Sequence, residues 1–261
     1  MDSEALTAFL DHLADAASDS IMPYFRANMD VENKAGSGFD PVTAADRGAE
    51  AAIRKLINER FPEHGIIGEE FGRERADADF VWVIDPIDGT RSFISGLPVW
   101  GTLIGLLKDG EPLIGMMAQP FTGERFVGDG TRAWYRGPGG QTALSVRSCK
   151  AVDQATLFTT SPAMIKGGDR VAYDRVEKAV RFARYGIDCY AYCMVAAGHA
   201  DIVIETELQA YDIVALIPII EGAGGKVTDW QGASAAAGGR IVATGDGRLH
   251  DAVLDVLGAE T

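Results

Sequence analysis

The feature that most constrains this chain is a short hydrophobic run that ends directly in acidic residues. Residues 80–84 read Phe-Val-Trp-Val-Ile, an apolar and β-prone run that predicts a buried strand. Residues 85–90 then read Asp-Pro-Ile-Asp-Gly-Thr. Because Pro86 holds the preceding residue in an extended conformation, we expect Asp85 and Asp88 to converge at the carboxyl end of the strand, where ligand sites of α/β sheets lie.

This motif has the composition of a site for divalent cations and phosphate. Mg²⁺ prefers hard oxygen ligands, commonly one or two carboxylates together with phosphate and water. Asp85 is a candidate bridge between two ions, and the carbonyl of Ile87 is a candidate further ligand. Gly89 and Thr90 are predicted to begin the next helix, whose free N–H groups suit a phosphate. The alternative is structural: both aspartates form an Asx-turn and cap that helix.

Further acidic residues lie at the ends of other predicted elements. They are Glu69 and Glu70 after a second short strand, Asp46 near the start of a helix, and Asp212 at the start of an apolar helix. Each has a structural alternative, namely an exposed loop for the glutamates, a capping box from Thr43 for Asp46, and helix capping for Asp212. Their conjunction with the aspartates of the strand favours a metal site.

The two halves of the chain have different patterns. Residues 1–142 combine amphipathic helices with an antiparallel meander and carry the metal-binding motifs, whereas residues 143–261 alternate strands with helices and complete the site. The predicted helices are 3–25, 43–60, 169–184, 189–197, 211–223 and one from His250. The predicted strands are 66–68, 80–84, 99–107, 113–118, 125–127, 132–135, 157–160, 201–205, 226–230 and 240–244, with a loop at 137–142. Since no flexible linker separates the halves, they are predicted to form one structural unit.

Composition excludes several classes of function. The net charge of −14 opposes nucleic-acid binding, and it would repel a phosphate ester unless bound cations neutralise some carboxylates. No apolar stretch approaches the ~20 residues of a membrane span, and the acidic N-terminus is not typical of a signal peptide. The three cysteines predict a reducing, cytoplasmic environment. A P-loop is absent, and Asp85 and Asp88 do not have the spacing of a haloacid-dehalogenase phosphatase.

These motifs resemble those of the inositol monophosphatase family. The resemblance is carried by residues 68–70, by residues 85–90, and by Tyr211-Asp212 with the glycine-rich residues 221–225. It implies a layered αβαβα sandwich of the α+β or α/β class. It also implies a lithium-sensitive phosphatase that binds two or three Mg²⁺ ions per site, forms a homodimer and acts on a small-molecule phosphate ester.

The resemblance assigns roles to individual residues. The metal ligands that it implies are Glu69, Asp85, the carbonyl of Ile87, Asp88 and Asp212. Asp46 and Thr90 would orient the attacking water. Gly89 and Thr90 would bind the phosphate. Three further residues would lie near the site, namely Lys34, Glu70 and Arg91. Metal-activated water would then attack phosphorus in line without a phosphoenzyme.

Residues 91–98 and 185–192 depart from the inositol phosphatases and are similar to the histidinol-phosphate phosphatases of the family, which act in histidine biosynthesis. Asp188 stands where inositol enzymes carry a small residue, and Glu205 stands where the family contacts the leaving group. The ammonium and imidazole of histidinol phosphate would pair with carboxylates, whereas inositol offers only hydroxyls. Three alternatives stay open: Asp188 only caps a helix, the enzyme is an inositol-1-monophosphatase, or it is a broad small-molecule phosphatase.

A different class of function is a non-catalytic metal-binding regulator that has kept the fold. Asp46 and Thr90 argue against it, because such a protein would not need the pair that orients water.

Overall fold

The two N-terminal helices follow the spacing of the apolar residues. The computed structural model describes residues 3–27, 31–33 and 41–259, with α1 over Ser3–Ile21 and α2 over Ala44–Arg60. Leu10 and Ile53 are fully buried, as the helical period predicts. α1 ends before the predicted residue 25, and hydrogen-bonded turns follow it. Lys34, a predicted neighbour of the site, lies outside the described residues.

A mixed sheet of eight strands occupies the rest of the first half, in the order β10-β9-β8-β7-β6-β5-β3-β4. Its strands are β3 (Gly65–Gly68), β4 (Gly72–Glu74), β5 (Phe80–Asp88), β6 (Gly101–Lys108), β7 (Glu111–Gln119), β8 (Glu124–Gly128), β9 (Ala133–Gly137) and β10 (Gly140–Ala143). β1 (Val31–Asn33) and β2 (Pro41–Thr43) form a separate ladder, and α3 (Thr90–Ile94) follows β5. All neighbours in the large sheet are antiparallel except β3 and β5.

A second, five-stranded sheet has the order β12-β11-β13-β15-β14. Its strands are β11 (Thr156–Thr159), β12 (Phe182–Tyr185), β13 (Ile202–Leu208), β14 (Lys226–Asp229) and β15 (Gly239–Thr244). The helices of this half are α4 (Gly167–Ala179), α5 (Tyr190–Ala196), α6 (Ala210–Ile213), α7 (Ile217–Gly222) and α8 (Gly247–Gly258). The predicted alternation of strands and helices is therefore confirmed.

Besides α1, three predicted elements of the loops and of the second half differ in extent from the structure. The loop at 137–142 is partly β10, because a tight turn with Gly140 at φ 102° returns the chain along β9. The helix at 169–184 ends at Ala179, and residues 182–185 pair with β11, although their exposed side chains give no strand pattern. The helix at 211–223 is divided into α6 and α7, with Pro218 in the first turn of α7, where its missing N–H is tolerated.

Five layers stack in the order helix, sheet, helix, sheet, helix, which confirms the predicted αβαβα sandwich. The helices α1 and α2 pack on one face of the large sheet, α5 and α7 fill the space between the sheets, and α4 and α8 cover the far face of the second sheet. Representative core residues of the three helical layers are Leu13, Ile57, Cys193, Ile219, Tyr173 and Val253. Within the described ranges, no helix has both the length and the apolarity to cross a membrane.

The central helical layer lies so close to the large sheet that two positions of the sheet, in β7 and β8, require glycine. A Cβ at Gly115 would lie 2.0 Å from the carbonyl oxygen of Ala215, and one at Gly128 would lie 2.3 Å from that of Pro218. Any side chain at these two positions would push the segment from α6 to α7 away from the sheet. That segment brings Asp212 to the end of β5.

His250 provides a prediction on acid stability. Its buried ring contacts Thr228 Oγ1 at 2.9 Å and Thr244 Oγ1 at 3.0 Å. Burial lowers the pKa of His250 from 6.5 to about 4, with a further lowering by Lys226. Because the unfolded chain protonates first, the stability from neutral His250 is present above pH 6.5 and falls as the pH drops toward 4.

We expect His250→Gln to be less stable than wild type at pH 8 but to depend less on pH between 6.5 and 4.5. Urea unfolding at a series of pH values measures this difference. Parallel pH profiles for the two proteins would contradict it.

Candidate active site

The strand β5 brings two acidic side chains to the same space because its pairing is interrupted. The strand was predicted to end at residue 84, but β5 continues to Asp88, with a register shift on β6 between Asp85 and Asp88. Strict alternation would send these two side chains to opposite faces, and a bulge re-aims one of them. Pro86 lies at the interruption, where its carbonyl accepts a hydrogen bond from Thr102 Oγ1 at 2.8 Å.

Asp212 approaches the same space from the second half of the chain. Asp85, Asp88 and Asp212 each place a carboxylate oxygen within 4.8 Å of the others. Asp212 also caps α6, because the backbone N–H of Gln209 donates to its Oδ2 at 2.6 Å. The capping interpretation and the metal-ligand interpretation of Asp212 are therefore compatible: the cap fixes the side chain that completes the cluster.

The electrostatics of the cluster identify its other members. Burial raises the pKa of Asp85 well above its ordinary value. The carboxylates that raise this pKa further are Glu69, Asp88, Asp212 and Asp46. Burial likewise raises the pKa of Asp212 to about 6. This concentration of buried carboxylates fits Mg²⁺ or a similar hard divalent cation.

The turn between Asp85 and α3 is held by its own backbone. The N–H of Ile87 donates to Asp85 Oδ1 at 3.1 Å, and Thr90 Oγ1 donates to the carbonyl of Ile87 at 3.2 Å. Gly89 has φ 86°, and a Cβ on it would lie 2.9 Å from Asp188 Oδ2. The Asx-type hydrogen bond of the structural alternative is therefore present at Asp85. Its predicted cap is not, because the N-cap of α3 is Gly89 and no side chain caps it. The role of both aspartates as metal ligands stays a prediction.

The turn that carries Glu69 and Glu70 is positioned by a residue without a role in the sequence prediction, Glu50. This side chain is fully buried in α2 and accepts hydrogen bonds from the N–H groups of Glu70, at 2.7 Å, and Phe71, at 3.2 Å. Arg54 Nε donates to it at 2.7 Å. A Cβ at Gly68 would lie 2.0 Å from its Oε1, so the turn fits closely around it. The available signal was an acid on the otherwise apolar face of α2 that also carries Ile53.

Asp46 lies on the same helix and is almost completely buried. Its charge raises the pKa of Asp85, so the two carboxylates lie in the same part of the site. Its place beside the attacking water stays a prediction. Nε of its neighbour Arg47 lies 3.7 Å from Oε2 of Glu70. The predicted capping box from Thr43 involves a side chain outside those that the structure describes.

A second pair of acids borders the cluster on the side of the second sheet. Ser92 Oγ donates to Asp188 Oδ2 at 2.6 Å, and the next residue, Cys189, donates its N–H to Asp88 Oδ2 at 2.7 Å. Asp188 lies in the turn between β12 and α5 with φ 46°, in the left-handed region that aspartate adopts more readily than most side chains. Burial raises the pKa of Asp188, and the Ser92 hydrogen bond and the Arg91 charge oppose this shift.

Glu205 lies in β13, nearly buried, where it accepts hydrogen bonds from Thr160 N at 2.5 Å and Thr159 Oγ1 at 3.2 Å. Burial raises the pKa of Glu205 to about 7, and the charge of Asp188 adds to this shift. The two acids that were predicted to contact substrate therefore lie near one another. Arg91 is exposed at their edge, with Nη1 at 3.5 Å from the sulfur of Met164.

Comparison with known proteins gives a consistent result. The model of the inositol monophosphatase family matches residues 2–259. The bifunctional phosphatase IMPL2 of Arabidopsis thaliana is 44% identical over 94% of this chain and 72% of its own length. A histidinol-phosphatase of Mycobacterium tuberculosis is 36% identical over 95% of both chains. The structure of an inositol monophosphatase from Zymomonas mobilis superposes with a TM-score of 0.89 at 40% identity, covering 99% of this chain and 100% of that one.

Proposed function

This chain belongs to the inositol monophosphatase family of phosphoric monoester hydrolases, and from that premise we propose that it hydrolyses L-histidinol phosphate to L-histidinol and phosphate, a step of histidine biosynthesis. The observation that carries the choice of substrate is the second acidic pair, Asp188 and Glu205, beside the metal-ligand carboxylates. A leaving group with an ammonium and an imidazole can form charge-assisted hydrogen bonds with both acids. A polyhydroxylated leaving group would bring no positive charge to this acidic pair.

Metal dependence is a property of the family, and the cluster of three carboxylates fits it. We propose that two or three Mg²⁺ ions bind. Their ligands would be Glu69, Asp85, the carbonyl of Ile87, Asp88 and Asp212. When bound, such ions lower the pKa of a water molecule and neutralise charge on the phosphate.

The protein's own groups would position the reactants. Thr90 Oγ1 gives its proton to the carbonyl of Ile87, so its lone pairs are available to accept a hydrogen bond from the attacking water. Asp46 would accept the other proton of that water. The N–H groups of Gly89 and Thr90 would bind the phosphate oxygens, which the positive φ of Gly89 allows.

Glu205 would bind the cationic part of the substrate. Its carboxylate retains free lone pairs beyond those used by Thr159 and Thr160. With a pKa of about 7, the carboxyl is only partly ionised at neutral pH without a ligand. An approaching cation would favour its charged form. The buried carboxylate and the cation would then stabilise one another.

We expect kcat/KM to be at least about 10-fold higher for L-histidinol phosphate than for inositol 1-phosphate, because the cationic contacts each contribute about 1.5–3 kcal/mol. A Mg²⁺-dependent assay of phosphate release on both esters and on phenyl phosphate measures this ratio. Preference for inositol 1-phosphate would identify an inositol-1-monophosphatase instead, and similar values for all esters would identify a broad phosphatase. Absence of phosphate release from any ester would favour the non-catalytic regulator.

Glu205→Gln is the matched variant for this assay, because it keeps the shape and removes the charge. It should lower kcat/KM for histidinol phosphate by about 10- to 100-fold and change that for phenyl phosphate little. Equal losses on both esters would place Glu205 in the structure of the site rather than in substrate selection.

We propose further properties, of which the family resemblance supports the homodimer and lithium inhibition and the sequence composition supports the others. These properties are a homodimer, a cytoplasmic location, inhibition by lithium, and no binding to nucleic acid or membranes. The net charge of −14 supports the exclusion of nucleic acid. Light scattering of the purified protein and inhibition of its activity by LiCl test the first and third of these properties.

A further inference from the structure

Tyr192 is a buried phenol whose hydroxyl makes no hydrogen bond to the described residues. The residue lies in α5 and exposes only 3% of its surface. Within residues 4–27 and 44–259, where side chains are described, no group forms a hydrogen bond with its hydroxyl. Because a buried polar group without a partner lowers stability, a hydroxyl in this state requires an explanation, such as a bound ligand.

The position of Tyr192 indicates what kind of ligand this is. It lies one helical turn after Cys189, whose N–H binds Asp88. Burial raises the pKa of the phenol, and the next contributions come from Glu205, Asp88 and Asp212. The hydroxyl therefore lies within the field of both the metal-ligand acids and the acid that faces the leaving group.

We propose that Tyr192 is a substrate-binding residue whose hydroxyl accepts a hydrogen bond from a cationic N–H of the leaving group. This rests on the proposed function and extends it, because it adds a neutral acceptor to the acidic pair. An acceptor surrounded by carboxylates lies in negative potential, which favours a positively charged donor over a hydroxyl.

A purely structural role makes the opposite prediction. If Tyr192 only fills the layer between the sheets, its ring does all the packing, and phenylalanine would serve as well without an unpaired hydroxyl. Retaining the hydroxyl at a cost in stability is typical of a functional site. Removing the hydroxyl should therefore keep or raise the stability of the protein and lower its selectivity for a cationic substrate.

The test is Tyr192→Phe in the full-length chain with Mg²⁺. We expect a melting temperature equal to or above that of wild type, and a 10- to 100-fold loss of kcat/KM for L-histidinol phosphate, of the order expected for one charge-assisted hydrogen bond. The kcat/KM for phenyl phosphate, which has no cationic group, should stay within about 3-fold of wild type. Weaker protection by L-histidinol in a thermal-shift titration should accompany the loss.

Tyr190→Phe is the matched control on the same helix. The Tyr190 hydroxyl donates to Glu124 Oε2 at 2.7 Å, so removing it should lower the melting temperature and leave the ratio between the esters unchanged. If wild type prefers histidinol phosphate and Tyr192→Phe keeps the same ratio, the role of Tyr192 is overturned and the proposed function stands. If wild type prefers inositol 1-phosphate, the proposed substrate and the N–H contact are both overturned.

Discussion

Asp88→Asn is expected to lose at least about 10²- to 10³-fold in kcat while the metal-free protein becomes more stable than wild type. The asparagine oxygen can still accept the N–H of Cys189, which now binds Asp88 Oδ2 at 2.7 Å, so the backbone keeps its support. The charge is removed from a cluster in which burial and Asp212 already raise the pKa of Asp88 well above its ordinary value. Removing one negative charge therefore has two effects: it relieves the repulsion between the carboxylates, and it weakens cation binding.

Two measurements separate these effects. Thermal unfolding in EDTA should give a higher melting temperature for the variant, and added Mg²⁺ should stabilise wild type by a larger shift than the variant. Asp77→Asn is a suitable control, because Asp77 is exposed and precedes the opposite end of β5. It changes the net charge equally and should leave turnover unchanged. Near-wild-type turnover of Asp88→Asn at saturating Mg²⁺ would contradict the assignment of the metal site.

The parts of the fold that the sequence predicted are those where burial imposes a period. The apolar stripe of α1 and the continuous apolar run of β5 each permit few alternatives. β12 was missed because three of its four residues are exposed, so neither alternation nor burial marks it, and only its pairing with β11 makes it a strand. The break between α6 and α7 was missed because both segments are apolar, and only Pro218 marked it.

The site was predictable to the extent that it is made of motifs. Asp85, Asp88, Glu69 and Asp212 were found because acids at the ends of elements are conspicuous, and the structure brings their charges together. Whether they and the remaining predicted residues have the roles assigned to them stays a prediction. Glu50, Ser92 and Tyr192 were not given roles, because a single polar residue within a helix becomes informative only when its three-dimensional neighbours are known.

Glu50→Ala is expected to destabilise the protein by about 3–5 kcal/mol, the largest loss of stability that we predict. The Glu50 carboxylate is fully buried and accepts from Arg54 and from the N–H groups of Glu70 and Phe71. Alanine leaves these donors without their acceptor, and Arg54, only 11% exposed, without its buried counter-ion. Urea unfolding in EDTA measures the difference directly. Glu59→Ala on the same helix, where the glutamate is 61% exposed and lies 3.9 Å from Lys55, should change stability by less than about 0.5 kcal/mol.

Loss of the Glu50 carboxylate should also weaken Mg²⁺ binding, because Glu50 positions the turn that carries Glu69. Glu50 holds the turn at Gly68, where the close approach leaves no room for a Cβ, and that turn sets the position of the Glu69 carboxylate near Asp85. Glu50→Gln is the milder variant, because it keeps the side-chain shape but gives the turn one acceptor oxygen where two were used. We expect it to stay folded and to bind Mg²⁺ about 10- to 100-fold more weakly, the usual effect of removing a group that orients a metal ligand. At saturating Mg²⁺, kcat should recover in Glu50→Gln but not in Asp88→Asn. A titration of activity against Mg²⁺ therefore distinguishes a residue that positions a metal ligand from the ligand itself. A Glu50→Gln protein with the Mg²⁺ dependence of wild type would show that the turn keeps its position without this carboxylate.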